Sequence, residues 1–473
     1  MTTITRHAPW RGRLIRFLPR RAASVPGRWL SNSGAGTRWP GSPSGAAAGA
    51  FASGRSAPAR GRPPEPHPVW SRLDSPLSTY YLLLGSAGAL LVIGLVMVLS
   101  ASSVGAMSTS GDPYAVFANQ VRFALVGLVF AAVAARMPVT TWKRVAFPLL
   151  LGAMTLQLLV FTPLGVDVNG NRNWLRLGIQ IQPSEVGKLG LILFGASVLC
   201  AKRRLLSDWK HVVVPVIAPF GILMVGLVLA GKDLGTALVL LMIIGAVLWA
   251  AGISGRLFAF AGVAAAAVVA LLVVTSGNRM SRLSAFLNCE DVQNQCWQSA
   301  HGRYALADGG LSGLGLGASR EKWNWLPEPH NDFIFPIIGE ELGLGGTLTV
   351  LVLFACLALA CYRIVLHTND MFVRVATAGV MIWILGQAII NIGAAIGVLP
   401  VIGVPLPLVS SGGSALVTVL TALGIVASFA RSEPRCRKAL AARPRMLTRS
   451  LSVLSASRPA WAQARQRRKA GGR

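Results

Sequence analysis

Asp332, Glu340 and Glu341 lie in the segment EPHNDFIFPIIGEELGLGG, which runs into a long apolar stretch. A charge near or inside a membrane segment is costly, and it marks a candidate functional site. A carboxylate in a partly apolar cleft can act as a general base. We therefore predict Asp332 as the catalytic base at the mouth of a membrane helix that starts near Pro336. Glu340 and Glu341 are predicted to lie inside that helix and to pair with a basic residue.

Further charged side chains are predicted on the same side of the membrane as Asp332. Arginine and lysine side chains suit a diphosphate group, because they donate charge-assisted hydrogen bonds to its oxygens. Together with a general base, such a set predicts transfer of a group from a lipid diphosphate. The set comprises Arg172, Arg176, Glu185 and Lys188 from one loop, Lys232 and Asp233 from the next, and Arg320, Lys322 and His330 from the longest.

Several of these residues also have a structural interpretation. Glu185 and Lys188 are three positions apart at a helix start and can form a buried ion pair that fixes helix packing. Asp233 can cap the sixth membrane helix. Arg172 and Arg176 can lie at the lipid headgroups. The sequence alone leaves these alternatives open.

Two glycine-rich segments also attract attention. The segment LPLVSSGGSALV places Ser411, Gly412 and Gly413 at a helix start, where free backbone N–H groups can bind an anion. The same small residues suit a tight helix-packing seam equally well. The segment GGLSGLGLG follows no strand, so we predict a close-packed turn there and not a dinucleotide site.

Composition assigns the chain to the membrane proteins. Of its 473 residues, 53% are hydrophobic and only 13% are charged, which is too apolar for a soluble protein of this length. The sequence predicts an all-α polytopic membrane protein of about ten transmembrane helices, with a large extracytoplasmic loop between helices 7 and 8. The apolar runs lie at 79–102, 116–135, 144–162, 184–201, 211–230, 234–252, 256–275, 334–366, 372–398 and 407–430.

Basic residues set the predicted orientation. The net charge is +28, and most of the basic excess lies in two tails that fall on the same side as the basic short loops. The positive-inside rule places that side in the cytoplasm. Basic arms beside a membrane span suit anionic lipid, so no nucleic-acid binding is expected. We predict a disordered cytoplasmic tail over 1–75, a membrane catalytic domain over 76–431 and a second basic cytoplasmic tail over 432–473.

Cys289 and Cys296 lie together in the longest polar loop, on the predicted oxidising side. That location favours a disulfide that staples the loop, with two reduced thiols as the alternative. The sequence contains neither a CxxC motif nor a His/Cys cluster, so a zinc site is not expected.

Four motifs follow one another along the chain: NRNWLRLGIQIQPSEVGK, DLGT, LPEPHNDFIFPIIGEELG and PLPLVSSGGS. In this order and spacing they resemble the SEDS family (shape, elongation, division and sporulation), in its actinobacterial division branch. The resemblance covers the membrane region and not the tails. It implies a ten-helix peptidoglycan glycosyltransferase that polymerises lipid II outside the cytoplasmic membrane, by one inverting displacement that releases undecaprenyl diphosphate.

The resemblance also implies site residues and partners. In this family the aspartate of the DFIF motif is essential, which here is Asp332. The family pattern adds Glu185, Lys188, Asp233 and Lys322 as cavity residues. The implied partners are a class B penicillin-binding protein (a transpeptidase), other division proteins and membrane lipid. A divalent cation, Mg²⁺ or Mn²⁺, is compatible with the family, although no residue pattern specifies a metal site.

The chain departs from the family pattern at three places near the proposed site, one of which is Pro336, where an alanine often follows the DFIF motif. Asn173 stands where many relatives have an arginine, and Arg172 comes one position earlier, which leaves open which arginine contacts the diphosphate. Gly231 and Lys232 replace a Gln-Pro pair before DLGT.

Three rival functions remain from the sequence. An outer cavity with cations also suits a flippase for lipid-linked precursors, although no internal repeat of the transporter kind is evident. A non-catalytic division scaffold would use the basic tails. An elongation role is the third rival, but the long basic tails and ASFARSEP after the last span favour division.

Overall fold

The structure, a computed structural model, describes residues 77–168, 170–205, 219–275, 277–287, 296–434 and 436–437. The predicted tail over 1–75 and most of the predicted tail over 432–473 lie outside these residues. Within the described part, the chain forms twelve α-helices and one small sheet. The elements are α1 (Ser78–Ser110), α2 (Ala115–Arg136), α3 (Val139–Leu159), β1 (Gly165–Val168), β2 (Asn171–Leu177), β3 (Ile179–Ile181), α4 (Pro183–Ala201), α5 (Ile222–Ala230), α6 (Leu234–Ala250), α7 (Gly255–Val274), α8 (Gly277–Leu287), α9 (Trp297–Gly309), α10 (Ile334–His367), α11 (Met371–Ala395) and α12 (Gly413–Ser432).

Seven of the described helices are long and apolar enough to cross a membrane: α1, α2, α4, α7, α10, α11 and α12. The apolar runs predicted these helices closely. For example, the run at 116–135 corresponds to α2, and the run at 372–398 corresponds to α11. The start of the run at 211–230 lies outside the described residues. The helical membrane fold is confirmed, and the count of about ten spans stays a prediction.

The all-α prediction omitted a three-stranded antiparallel sheet with the order β1-β2-β3. Residues 163–183 were expected to form a loop. Instead, Val166 lies opposite Trp174 and Leu175 lies opposite Ile181, with a register shift after Val166. The sheet leads directly into Pro183 at the start of α4, so it fixes how the chain enters that helix.

The helices pack closely in pairs: α2 against α12, α3 against α4, α1 against α10 and α6 against α11. Gly424 shows why small residues are needed, because a side chain there would collide with the carbonyl oxygen of Ala131 on α2. Close backbone approach of this kind stabilises helix pairs in membranes, where burial from water contributes little. The tightly packed helices hold their ends, and the residues on those ends, in fixed positions.

Helix α10 is broken at Gly343, whose φ of 65° and ψ of −161° lie outside the helical region. The glycine-rich turn at 309–317 supplies hydrogen bonds at the break. Leu314 N–H donates to the Glu340 carbonyl oxygen at 2.9 Å, and Leu344 N–H donates to the Gly310 carbonyl oxygen at 3.0 Å. The predicted turn is therefore present, and it packs against the break in α10.

Candidate functional site

A cavity of about 1430 Å³ opens where the starts of α4, α6 and α12 meet the small sheet. Residues 400–405, the segment before α10, and side chains from α2 and α8 complete its wall. Helix starts carry unpaired N–H groups and a partial positive charge. Three such starts around one cavity favour a negatively charged ligand.

Asp332 lies in this cavity wall, half-buried, immediately before α10. No described residue donates a hydrogen bond to its carboxylate. Removal from water raises the pKa of Asp332 to about 6; Glu328 and Asp233 act in the same direction, and Arg282 opposes them. A carboxylate with a pKa near neutrality can both accept and release a proton, which suits a general base.

Two arginines that the sequence did not single out line the same cavity, Arg122 on α2 and Arg282 on α8. Arg282 also donates to the Val401 carbonyl oxygen at 3.4 Å, and its charge acts on Asp332. Lys232 lines the cavity too, as expected. These are the cations that the structure brings together with Asp332.

Arg172 and Arg176 are exposed and do not line the cavity, so their predicted contact with a diphosphate is not supported. The Arg172 guanidinium instead donates to the carbonyl oxygens of Val160 and Thr162, at 3.1 and 2.9 Å. Arg172 therefore ties strand β2 to the end of α3. The adjacent Asn173 is fully buried, with hydrogen bonds to Gln157 and to the Gly231 carbonyl.

Glu185 and Lys188 form the predicted buried ion pair, with Lys188 Nζ 2.7 Å from Glu185 Oε1. The two residues are only 2% and 0% exposed. Glu185 reaches the cavity wall, whereas Lys188 lies behind it, against the ring of Trp383 at 5.6 Å. Lys188 can therefore influence the cavity only through its ion pair with Glu185.

Asp233 caps α6 as predicted, since it accepts from Thr236 N–H at 2.8 Å. Its carboxylate also accepts from the side chain of Gln182 at 3.2 Å. Asp233 nevertheless lines the cavity. Its carboxylate is thus held in place in the cavity wall by the start of α6 and by Gln182.

Ser411, Gly412 and Gly413 line the cavity at the start of α12, as predicted. The Ser411 N–H donates to the His330 carbonyl oxygen at 2.9 Å, and the Gly412 N–H donates to the side chain of Gln120 at 3.3 Å. Part of the expected anion-binding capacity is therefore used within the protein. The packing interpretation also holds in part, because Gly413 lies directly against the ring of Phe123.

Lys322 was expected in the cavity, and the structure corrects this. Lys322 is 5% exposed, and its ammonium donates to Glu341 Oε1 at 3.2 Å and to the Gly317 carbonyl oxygen at 2.7 Å. The basic partner predicted for Glu341 is thus Lys322. Glu340 has no such ion pair among the described residues, and it accepts instead from the Ser319 hydroxyl and the Arg320 N–H, both at 2.6 Å.

Two further predictions concern the long loop and a metal ion. Cys296 is disulfide-bonded, and its predicted partner Cys289 lies outside the described residues. Within the described part of the chain, no group of three or more His, Cys, Asp or Glu side chains is arranged to bind a metal. Among these residues the structure therefore assigns no ligands to the cation that the family resemblance allows.

Known proteins resemble this chain over most of its length. The FTSW_RODA_SPOVE family, described as "Cell cycle protein", matches residues 81–435. The "Probable peptidoglycan glycosyltransferase FtsW" of Mycobacterium tuberculosis (strain ATCC 25618 / H37Rv) is 39% identical over 390 residues, which cover 82% of this chain and 74% of that protein. The "Stage V sporulation protein E" of Bacillus subtilis (strain 168) is 36% identical over 347 residues, 72% of this chain and 94% of that protein.

Solved structures resemble the fold as well. The crystal structure of Rod shape determining protein RodA from Thermus thermophilus has a TM-score of 0.56 and 27% identity, covering 75% of this chain and 97% of that chain. A chain from "Structural coordination of polymerization and crosslinking by a peptidoglycan synthase complex" has a TM-score of 0.60 and 26% identity, covering 74% and 96%. Together with the seven apolar helices, these likenesses show a multi-pass membrane protein with the SEDS fold that belongs to the FtsW, RodA and SpoVE family of cell cycle proteins.

Proposed function

We propose that this chain is a peptidoglycan glycosyltransferase that polymerises lipid II into glycan strands during cell division. The observation that carries the proposal is the cavity in which the Asp332 carboxylate, without hydrogen-bond donors from the described residues, lies with Arg122 and Arg282. A base and cations in one cavity are what transfer from a lipid diphosphate needs. The naming of relatives as peptidoglycan glycosyltransferases supports the same reaction.

In the proposed reaction, Asp332 takes the proton from a hydroxyl of the GlcNAc of one lipid II molecule. The oxygen of that hydroxyl forms a bond to the anomeric carbon of the MurNAc that ends the growing strand. The bond from this carbon to the diphosphate oxygen breaks, and undecaprenyl diphosphate leaves with the electron pair. One direct displacement inverts the anomeric carbon, and Asp332 then returns its proton to water.

The leaving group gains negative charge as its bond breaks, so the cavity wall must supply positive charge. Arg122 and Arg282 are suited to this, because a guanidinium can donate two parallel hydrogen bonds to phosphate oxygens. The start of α12 adds its partial charge. Glu185 and Asp233 would then hold the shape of the wall and exclude a second anion.

The proposal includes an orientation and a partner. We place the cavity on the outer face of the cytoplasmic membrane and both tails in the cytoplasm, with residues 76–431 as the catalytic membrane domain. The basic short loops support this orientation through the positive-inside rule. We expect a class B penicillin-binding transpeptidase to crosslink the glycan, with other division proteins bound nearby. The likeness to a chain from a peptidoglycan synthase complex supports an assembly of this kind.

Polymerisation of lipid II by the purified chain with its transpeptidase tests the proposal. Wild-type protein in detergent should make glycan strands, and Asp332→Ala should make none. Asp308→Ala is the matched control, because Asp308 is an exposed carboxylate on α9 that does not line the cavity. Equal product from wild type and Asp332→Ala would remove Asp332 as the base. Absence of product from every variant would favour a flippase or a scaffold, and a transport assay would separate those two.

A further inference from the structure

Three successive carbonyl groups around Asp332 are held by hydrogen bonds from elsewhere in the fold. Ser411 N–H donates to the His330 carbonyl oxygen at 2.9 Å. The Ser410 hydroxyl donates to the Asn331 carbonyl oxygen at 2.6 Å. The Asn391 side-chain amide donates to the carbonyl oxygen of Asp332 itself at 2.8 Å. We name Asn391, Ser410 and the Ser411 N–H the carbonyl clasp.

The clasp also fixes the segment on its other side. The second N–H of the Asn391 amide donates to the Val404 carbonyl oxygen at 2.8 Å. The Ser410 hydroxyl accepts from the Leu406 N–H at 2.9 Å. Each side chain therefore bridges the segment before α10 and the segment before α12, two regions of chain that approach the cavity from different helices.

Burial makes the clasp specific. Asn391 and Ser410 are 3% and 4% exposed, so water cannot substitute freely for either. The Asn391 amide can donate only through its nitrogen, and a reversed amide would turn its oxygen towards two carbonyl oxygens. The amide oxygen meanwhile has no partner among the described residues. Asn391 thus acts in the clasp through its two N–H groups.

A base acts only when it meets its proton at hydrogen-bond distance, and small displacements are costly. The carboxylate of Asp332 is not itself held by a hydrogen bond from any described residue, so its main chain must define where it stands. The clasp holds the carbonyl of Asp332 and those of the two residues before it. Only the side-chain torsions of Asp332 remain to be set.

We propose that Asn391 and Ser410 are positioning residues, which place the Asp332 carboxylate at the reacting hydroxyl by holding the main chain of residues 330–332. The proposal deepens the proposed glycosyltransferase function and rests on it for its kinetic readout. Neither residue touches the substrate in this role.

The kinetic test compares Asn391→Ala and Ser410→Ala with wild type in lipid II polymerisation, using the full chain with its transpeptidase. We expect kcat to fall by about 10- to 100-fold in Asn391→Ala, with KM changed by less than about threefold. Thr377→Val is the matched control, because it removes a buried hydroxyl that has no hydrogen-bond partner among the described residues. Thr377 lies on the same helix, about 21 Å away along α11. The control should keep the wild-type rate.

A second readout does not need activity. A hydrophobic carbodiimide modifies protonated carboxyl groups, and mass spectrometry of the Asp332 peptide gives its labelling as a function of pH. In wild type, half-labelling should lie near the pKa of about 6. Glu328 and Asp233 raise this pKa, Arg282 lowers it, and burial lowers the pKa of His330 nearby. Release of the clasp would expose Asp332 to water, so half-labelling should move to lower pH in Asn391→Ala and Ser410→Ala.

A wild-type rate together with wild-type labelling in both clasp variants would overturn the inference. A purely structural role would lower the yield of folded protein and leave the labelling curve of the remainder unchanged, which also overturns it. If Asn391→Ala does not fold, Ser410→Ala decides alone, since it deletes a single oxygen atom. If wild type makes no glycan, the proposed function fails, whereas the labelling comparison still decides whether the clasp sets the environment of Asp332.

Discussion

Two groups of carboxylates lie within ten positions of each other in the sequence, and the fold treats them in opposite ways. Glu340 and Glu341 are 0% and 1% exposed, and each accepts several hydrogen bonds. Those of Glu341 come from the Ser100 hydroxyl at 2.6 Å and from Lys322 at 3.2 Å. Asp332 is half-buried at a cavity wall and accepts no hydrogen bond from a described residue.

This difference distinguishes carboxylates that stabilise the fold from a carboxylate that is available for the reaction. A buried carboxylate with donors on both oxygens is held in one position, and its acceptor sites are already used within the protein. A carboxylate that is desolvated without compensation has a raised pKa, and such groups concentrate at functional sites. The pair Glu340 and Glu341 therefore anchors the loop that carries Asp332, and Asp332 remains available for proton transfer.

The largest expected effect comes from Asp332→Asn, which removes the base and keeps the shape. Polymerisation of lipid II should fall by about 10²- to 10⁴-fold, the usual contribution of a general base. Because the folded-state pKa of Asp332 is raised, its ionised form opposes folding above the unfolded-state pKa. The thermal midpoint at pH 7 should therefore be equal to or higher than that of wild type, as measured by fluorescence in detergent. A thermal midpoint below that of wild type would instead show that the Asp332 carboxylate stabilises the fold, as Glu340 and Glu341 do.

Glu341→Ala, in contrast to Asp332→Asn, should lower the stability of the fold. It leaves the buried ammonium of Lys322 without its carboxylate, and loss of one partner of a buried pair costs about 3–5 kcal/mol. Unfolding in mixed micelles should reveal the loss. The double variant Glu341→Ala with Lys322→Met, which removes both charges, should recover much of it. Equal stability of the single and double variants would show that Lys322 does not depend on Glu341.

The pH dependence of the rate tests Asp332 without a mutation. A base must be ionised to accept a proton, so the rate should fall as pH drops through the pKa of about 6. Well below that value, each further pH unit should lower the rate by about tenfold, and above pH 7 this limb should be flat. An acid limb near pH 4 would mean that Asp332 is solvated in the working enzyme, contrary to the contrast with Glu341.

Much of this arrangement could be predicted because it depends on local sequence. Apolar runs gave six of the twelve described helices to within about three residues. Glu185 and Lys188 form a pair because three positions separate them on one helix. The small sheet was not predicted, although the Asn-Gly dipeptide at 169–170 is a hairpin signal. The strands of this sheet are short, and their residues do not alternate clearly between polar and apolar.

The cations were harder to predict, because their position depends on tertiary contacts. Arg122 carried a usable signal, since an arginine inside the apolar run at 116–135 is costly unless it faces a polar space. Arg282 carried no such signal in the sequence, because only the fold brings α8 close to Asp332, fifty positions later. Arg172 was chosen for its motif, and nothing in the motif reveals that the carbonyls of Val160 and Thr162 already occupy its guanidinium.

Arg282→Gln and Arg172→Gln form a matched pair with smaller expected effects. Arg282 lowers the pKa of Asp332, so its removal should raise that pKa and move the acid limb of the rate to higher pH. At pH 7 the rate should fall by about tenfold, because the leaving diphosphate also loses a charged donor. Arg172→Gln should leave the limb in place and change the rate by less than about twofold, since Arg172 is exposed and bonded to the main chain. The same substitution at the two arginines, followed across pH 5 to 8, would therefore decide which of them acts on Asp332. A shifted limb in Arg172→Gln alone would show that Arg172, and not Arg282, acts on Asp332.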